Sequence, residues 1–299
     1  MIAFLGSWSW DPTVLSGLGL SALLYAAGWR RSRRAGLGEE ALPTWRAWCF
    51  GGGLFFVWLA LLSPIGSFSG LFFFMHMIQH LLLVEVAAPL LLLGAPVLPM
   101  LWALPRDARV VLGSLFGPGS PLHGAFVLST HPLIAVTLYI AALAVWHLPS
   151  FYDAAQGRTA IHDLEHTIFL GTALLYWWPI VHPAGGRRRL SYAAAVPYLL
   201  PPLLAGSLIG ALLTFAQHPL YATYQRVPRL WGISVLQDQQ LAGLIMWVPG
   251  GLAYIFPIFV LIALLLRQEE RAAAADGGDA GGSEAARAGS GVGVSNDRR

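Results

Sequence analysis

The sequence predicts an all-α fold, a polytopic membrane helix bundle of about seven transmembrane helices, and three observations carry that expectation. The 299 residues are 56% hydrophobic and 11% charged, whereas soluble domains carry roughly 25% charged residues. The apolar residues gather in runs near the ~20-residue length that crosses a bilayer. The basic residues, all arginine, concentrate in alternate segments between those runs.

In order, the expected spans lie near residues 12–29, 47–63, 70–95, 131–149, 161–181, 192–216 and 235–266. The first run follows an N-terminus without a basic region and precedes arginines instead of a small-residue cleavage site, so it reads as a retained span and not a signal peptide. Arg30, Arg31, Arg33, Arg34 and Arg46 follow span one. Arg106 and Arg109 follow span three, Arg187, Arg188 and Arg189 follow span five, and Arg267 and Arg271 follow span seven. The opposite loops hold only Arg158, Arg226 and Arg229. The positive-inside rule then puts the N-terminus outside and the C-terminus in the cytoplasm. Segment 96–130, broken by Pro99, Pro105, Gly113, Gly117, Pro118 and Pro121, is expected to be a cytoplasmic loop with an interfacial helix. Breakers also fall inside spans, at Pro89, at Pro197, Pro201 and Pro202, and at Pro249 and Pro257. Two domains follow: a transmembrane domain over 1–266 and a disordered cytoplasmic tail over 267–299, too poor in bulky apolar residues to bury a core.

Several function classes drop out. The single cysteine, Cys49, allows no intrachain disulfide, redox pair or thiolate cage. A net charge of +3 gives no argument for nucleic acid. No nucleophile triad, nucleotide-binding turn or His-Glu-x-x-His motif occurs, so the chain is not expected to be an enzyme.

The polar residues within spans are the informative ones. His76 and His80 lie four apart in an apolar helix, on one face and about 6 Å apart along its axis, with Glu85 further on. Ionisable groups inside a span are costly and mark functional sites. The expected topology places His76 and His80 in the outer half of span three. His147 ends span four on the same side, and His162 and His166 open span five as a second i, i+4 pair. Five histidines converge at one depth as candidate metal ligands, with Glu85, Glu165 and Asp238 as candidate carboxylates to orient them. The bland alternatives are interhelical hydrogen bonds for single histidines, helix capping for Asp163 and Asp238, and packing for Met75, Met77 and Met246.

These residues carry a family resemblance. His76-Met77-Ile78-Gln79-His80-Leu81-Leu82-Leu83, followed by Ala88-Pro89-Leu90 and Gly94-Ala95-Pro96, resembles the signature of the CtaG family of polytopic cytochrome c oxidase assembly factors. So do Trp146-His147-Leu148-Pro149 with Tyr152, His162-Asp163-Leu164-Glu165-His166, and the segment from Asp238 to Trp247. The likeness spans residues 45–266. It implies a role in maturing a haem-copper oxidase, with copper as the ion handled, oxidase subunits and an external copper donor as partners, and the bacterial cell membrane as location. A cation transporter, a b-type haem protein and a metal-free assembly scaffold are the competing expectations.

Overall fold

A computed structural model of the chain describes residues 6–181 and 190–289, with side chains as far as 273. His182 and the Arg187–Arg189 cluster fall outside the described residues, as does the end of the tail from residue 290. All regular structure among the described residues is helical.

Helix α1 (Pro12–Arg34) opens on an Asp11 cap that accepts from the Thr13 and Val14 amides and closes on Arg31, Arg33 and Arg34, as the helix dipole favours. Helix α2 (Thr44–Leu62) follows after a short turn. In that turn Glu39 accepts from the Thr44 amide and from Arg33, which together hold its carboxyl below the usual carboxylate range. The resulting stabilisation is present above the ordinary carboxylate pKa and disappears as pH falls through the lowered one. The small helix α3 (Pro64–Phe68) turns the chain into the segment that holds the first histidine pair.

That segment is not one regular helix. Helix α4 (Phe73–Leu81) passes into six residues of π-helix, Leu82–Ala87, and then into α5 (Ala88–Leu93). Trp177 donates its indole N–H to the Val84 carbonyl at 3.2 Å, holding a backbone group of the wide turn. Helices α6 (Val97–Ala103), α7 (Arg106–Leu115) and α8 (Pro121–Ser129) occupy the region expected to be a loop with one interfacial helix. α6 packs against α1, with Arg31 donating to the Ala103 carbonyl. Then come α9 (Pro132–Trp146), α10 (Pro149–Gly157) and α11 (Thr159–Val181). Helix α12 (Tyr192–Thr214) runs unbroken through its three prolines, α13 (Ala222–Gln225) is a single turn, and α14 extends over Val235–Gly289. α14 starts at Val235 and remains helical past residue 266.

By length and composition, four stretches of the described residues suit a bilayer: Thr44–Phe68, Phe73–Leu93, Tyr192–Thr214 and Val235–Ala273. A fifth is available if α8 and α9, bent by 70° at their junction, count as one broken span. The difference from seven has a chemical origin. α1 and α11 are each 23 residues long, but α1 dilutes its apolar run with glycine, serine and threonine, and the first half of α11 carries His162, Asp163, Glu165 and His166. The residues that make α11 interesting are those that lower its hydropathy.

The broadest packing surface joins α12 to α14, and Gly210 and Gly243 set its spacing. A Cβ on Gly210 would lie 2.8 Å from the Gly243 carbonyl oxygen, and one on Gly243 would lie 2.6 Å from the Thr214 amide. Small residues that let backbones approach are the usual means of packing helices in lipid, where apolar burial gives no advantage. Gly243→Val is therefore expected to cost about 1–3 kcal/mol through overpacking. Gly171→Ala, at a position with open space, is expected to leave stability unchanged or slightly higher. Thermal melts of the two variants in the same detergent check this.

Candidate metal centre

The two histidine pairs expected from spacing meet face to face. On α4 the rings of His76 and His80 have centroids 4.1 Å apart, and on α11 those of His162 and His166 are 4.2 Å apart. Across the helices, His80 and His166 are separated by 5.2 Å, His76 and His166 by 5.7 Å, and His76 and His162 by 5.3 Å. Glu165 points between the pairs. Its Oε1 lies 3.7 Å from His76 Nε2 and 3.8 Å from His80 Nε2.

His76, His80, Glu165 and His166 each offer one donor atom, and those atoms lie within 4.8 Å of one another. Donors around a four-coordinate ion with bonds near 2.1 Å are roughly 3.4 Å apart, so modest closure of the side chains suffices. All four residues are buried, with 0% exposure for both His76 and Glu165. His76 Nε2, both ring nitrogens of His80, both oxygens of Glu165 and His166 Nε2 have no hydrogen-bond partner. Each unsatisfied buried polar atom costs about 1–3 kcal/mol. Six on four touching residues form an expensive arrangement for a purely structural core, and the donor set is one that a copper or zinc ion satisfies. The residues therefore fit such an ion.

The remaining candidates take other places. His162 is half-buried and borders the cluster beside His76 and His166. His147 lies apart from the four-residue set. Its Nδ1 is 2.7 Å from the Leu143 carbonyl, and its ring faces Phe169. Glu85, on the π-helical turn, lines a cavity with His80 and His147. Asp238 serves the protein backbone. Its carboxylate accepts from the Phe73 and Phe74 amides at 3.1 and 3.0 Å, at the N-terminus of α4, and pairs with Arg229 at 3.2 Å. Gln239 and Gln240 likewise bind backbone groups between Ala216 and Leu220. The Asp-Gln-Gln motif thus clamps α4 and the loop before α13.

Other residues at the site carried no clear sequence signal. Gln156 on α10 contacts His76 Nδ1 through its amide at 2.9 Å. The oxygen and nitrogen of such an amide exchange places by a flip. With the oxygen toward His76, Gln156 accepts Nδ1–H and leaves the Nε2 lone pair facing the cluster. Only the i, i+4 spacing from Tyr152 hints at this in the sequence. An aromatic cover lies beside the site: Phe73, Tyr152, Tyr221 and Tyr224 pack with centroids 4.2 to 6.0 Å apart. Tyr152 bonds to Tyr224, which donates to the Ser69 carbonyl, and Tyr221 donates to the His147 carbonyl. Asp153 caps α13 by accepting from Ala222 and Thr223.

Fold and site together define a class, an apolar helix bundle enclosing an imidazole–carboxylate centre built by two facing helices. The chain belongs to the cytochrome c oxidase caa3 assembly factor family, Caa3_CtaG, whose model matches residues 23–268. Similar curated proteins are uncharacterised ones: Mb0105 of Mycobacterium bovis and MT0111 of Mycobacterium tuberculosis, each 27% identical over 248 residues, and ML1998 of Mycobacterium leprae, 25% identical over 269. These alignments cover 80 to 88% of this chain but 36 to 40% of the relatives, so the chain spans well under half of their length. No solved structure matches.

The Asp238 arrangement predicts a separation of stability from binding. Asp238→Ala uncaps α4 and leaves Arg229 without its carboxylate, and is expected to cost about 1–3 kcal/mol. A detergent melt should show that loss, while metal content measured below the melting transition stays at the wild-type value.

Proposed function

We propose that the chain binds a copper ion at the His76, His80, Glu165 and His166 centre and helps deliver it to the copper site of a haem-copper cytochrome c oxidase. The observation that carries this reading is the group of six unpartnered nitrogen and oxygen atoms on those four buried residues. Family membership supplies the oxidase-assembly context, and the apolar helices supply the membrane setting. In this reading the helices cross the bilayer seven times with the N-terminus outside. The centre then lies in the outer leaflet, half-buried His162 faces an external donor, and oxidase subunits approach within the membrane. The role is ion handling and not catalysis.

Each residue has a task that follows from its geometry. His76, His80 and His166 bring neutral imidazole donors, and Glu165 supplies the carboxylate between the pairs to offset the ion's charge. Gln156 orients His76 through the ring nitrogen remote from the ion, the usual role of an outer partner. The tyrosine cover keeps water from one side. A bare ion suits this site better than haem, because the adjoining cavity of about 40 Å³ falls far below the several hundred cubic ångströms of a cofactor pocket. Transport is the second reading, favoured by Glu85, which lines both that cavity and a larger apolar groove bordered by Tyr192 and Leu264. Copper uptake into proteoliposomes would support transport, and binding without uptake would support a chaperone.

Elemental analysis of the detergent-purified protein after copper loading tests the main reading. Tightly held copper is expected in the wild type, with loss from this centre in the His76→Ala/His80→Ala variant. In cells, that variant should yield oxidase deficient in copper. Gln156→Leu should keep the fold and weaken copper affinity about 10- to 100-fold, as read by competition with a chelator. Copper-free wild-type protein would overturn copper handling and leave a scaffold.

A further inference from the structure

The cavity beside the four-residue centre has a donor set of its own. It encloses about 40 Å³ and is lined by Met77, His80, Glu85, His147 and Met246, with Gly250 opposite the carboxylate. That volume exceeds the ~10–15 Å³ needed to admit one water-sized occupant. Met77 is 1% exposed and Met246 7%.

Three features point to an ion as the occupant. His147 Nδ1 is held by the Leu143 carbonyl at 2.7 Å, which fixes the hydrogen on Nδ1 and leaves Nε2 as a lone-pair donor. That Nε2 is buried and has no hydrogen-bond partner. Glu85 Oε2 is likewise buried without a partner, on a π-helical turn where the ordinary helical register is interrupted. Such turns occur frequently at functional sites. Gly250 borders the carboxylate, and a Cβ at that position would stand 3.5 Å from Glu85 Oε1, in ordinary van der Waals contact.

We propose that Met77, His147, Met246 and Glu85 form a second ion site, specific for a soft monovalent cation such as Cu(I), that exchanges its ion with the four-residue centre through the shared residue His80. Thioethers and imidazole select Cu(I) over harder cations, and Glu85 offsets one positive charge in an apolar surrounding. The inference rests on the copper reading of the first centre and extends it. With one site on each side of His80, an ion moves between them by exchanging ligands and never crosses bare apolar space. Both steps leave the oxidation state unchanged. The arrangement also gives His147 and Glu85 tasks outside the tighter cluster.

The test uses the full chain in detergent, loaded with Cu(I) under reducing conditions and examined for copper stoichiometry and for sulfur neighbours in the copper X-ray absorption spectrum. Wild-type protein is expected to hold two ions per chain with a sulfur shell. Met77→Leu/Met246→Leu, a nearly volume-conserving change that cores tolerate, should hold one ion and lose the shell. His76→Ala/His166→Ala should instead lose the nitrogen-bound ion and retain the sulfur-bound one. An unchanged copper count in the methionine variant, or a sulfur-free spectrum in saturated wild type, overturns the second site. Failure of the first centre alone would appear as a single sulfur-bound ion per wild-type chain and a copper count unchanged by His76→Ala/His166→Ala, so the two readings fail separately.

Discussion

The structure depends on a costly local arrangement: imidazole and carboxylate groups buried against one another in an apolar bundle without hydrogen-bond partners. Water satisfies such groups at a surface, and a binding partner must do so in an interior. Much of the surrounding architecture holds these side chains together. Asp238 and Arg229 anchor the start of α4, Trp177 braces the π-helical turn after it, and the tyrosine cover pins α10 and α13 beside the histidines. Gly210 and Gly243 permit the close α12–α14 crossing that supports α4 from the other side.

The centre's donors come from two rigid helices, each supplying residues at neighbouring positions on one face. This construction suits precise positioning, because a helix fixes the relative placement of residues four apart more firmly than a loop does. Glu165 precedes His166 directly, so one turn of α11 presents both a carboxylate and an imidazole. The Gln156 amide reaches His76 from a third helix, α10.

Much of the centre was legible in the sequence because helical spacing reports faces. His76 with His80, and His162 with His166, could be paired on spacing alone, and matching depth brought the pairs together. Expected depth says nothing about azimuth around the bundle, and His147 lines the adjoining cavity with His80 without joining the four-residue group. Glu85 sits inside the six-residue π-helical turn Leu82–Ala87, where an α-helical count does not give the face that a side chain presents. Asp238 was weighed as a cap for its own helix, yet it caps α4, some 165 residues away in sequence. Gln156 has no local signal beyond its i, i+4 spacing from Tyr152. The all-helical architecture was plain from composition, whereas length and hydropathy give four or five candidate spans among the described residues, and the ionisable groups of α11 dilute its apolar signal.

The most direct measurement is an anomalous difference map at the copper edge from crystals of the copper-loaded full chain. A strong peak enclosed by His76, His80, Glu165 and His166 is the result the account predicts. A map without copper there, or with copper bound only at surface residues, would contradict it.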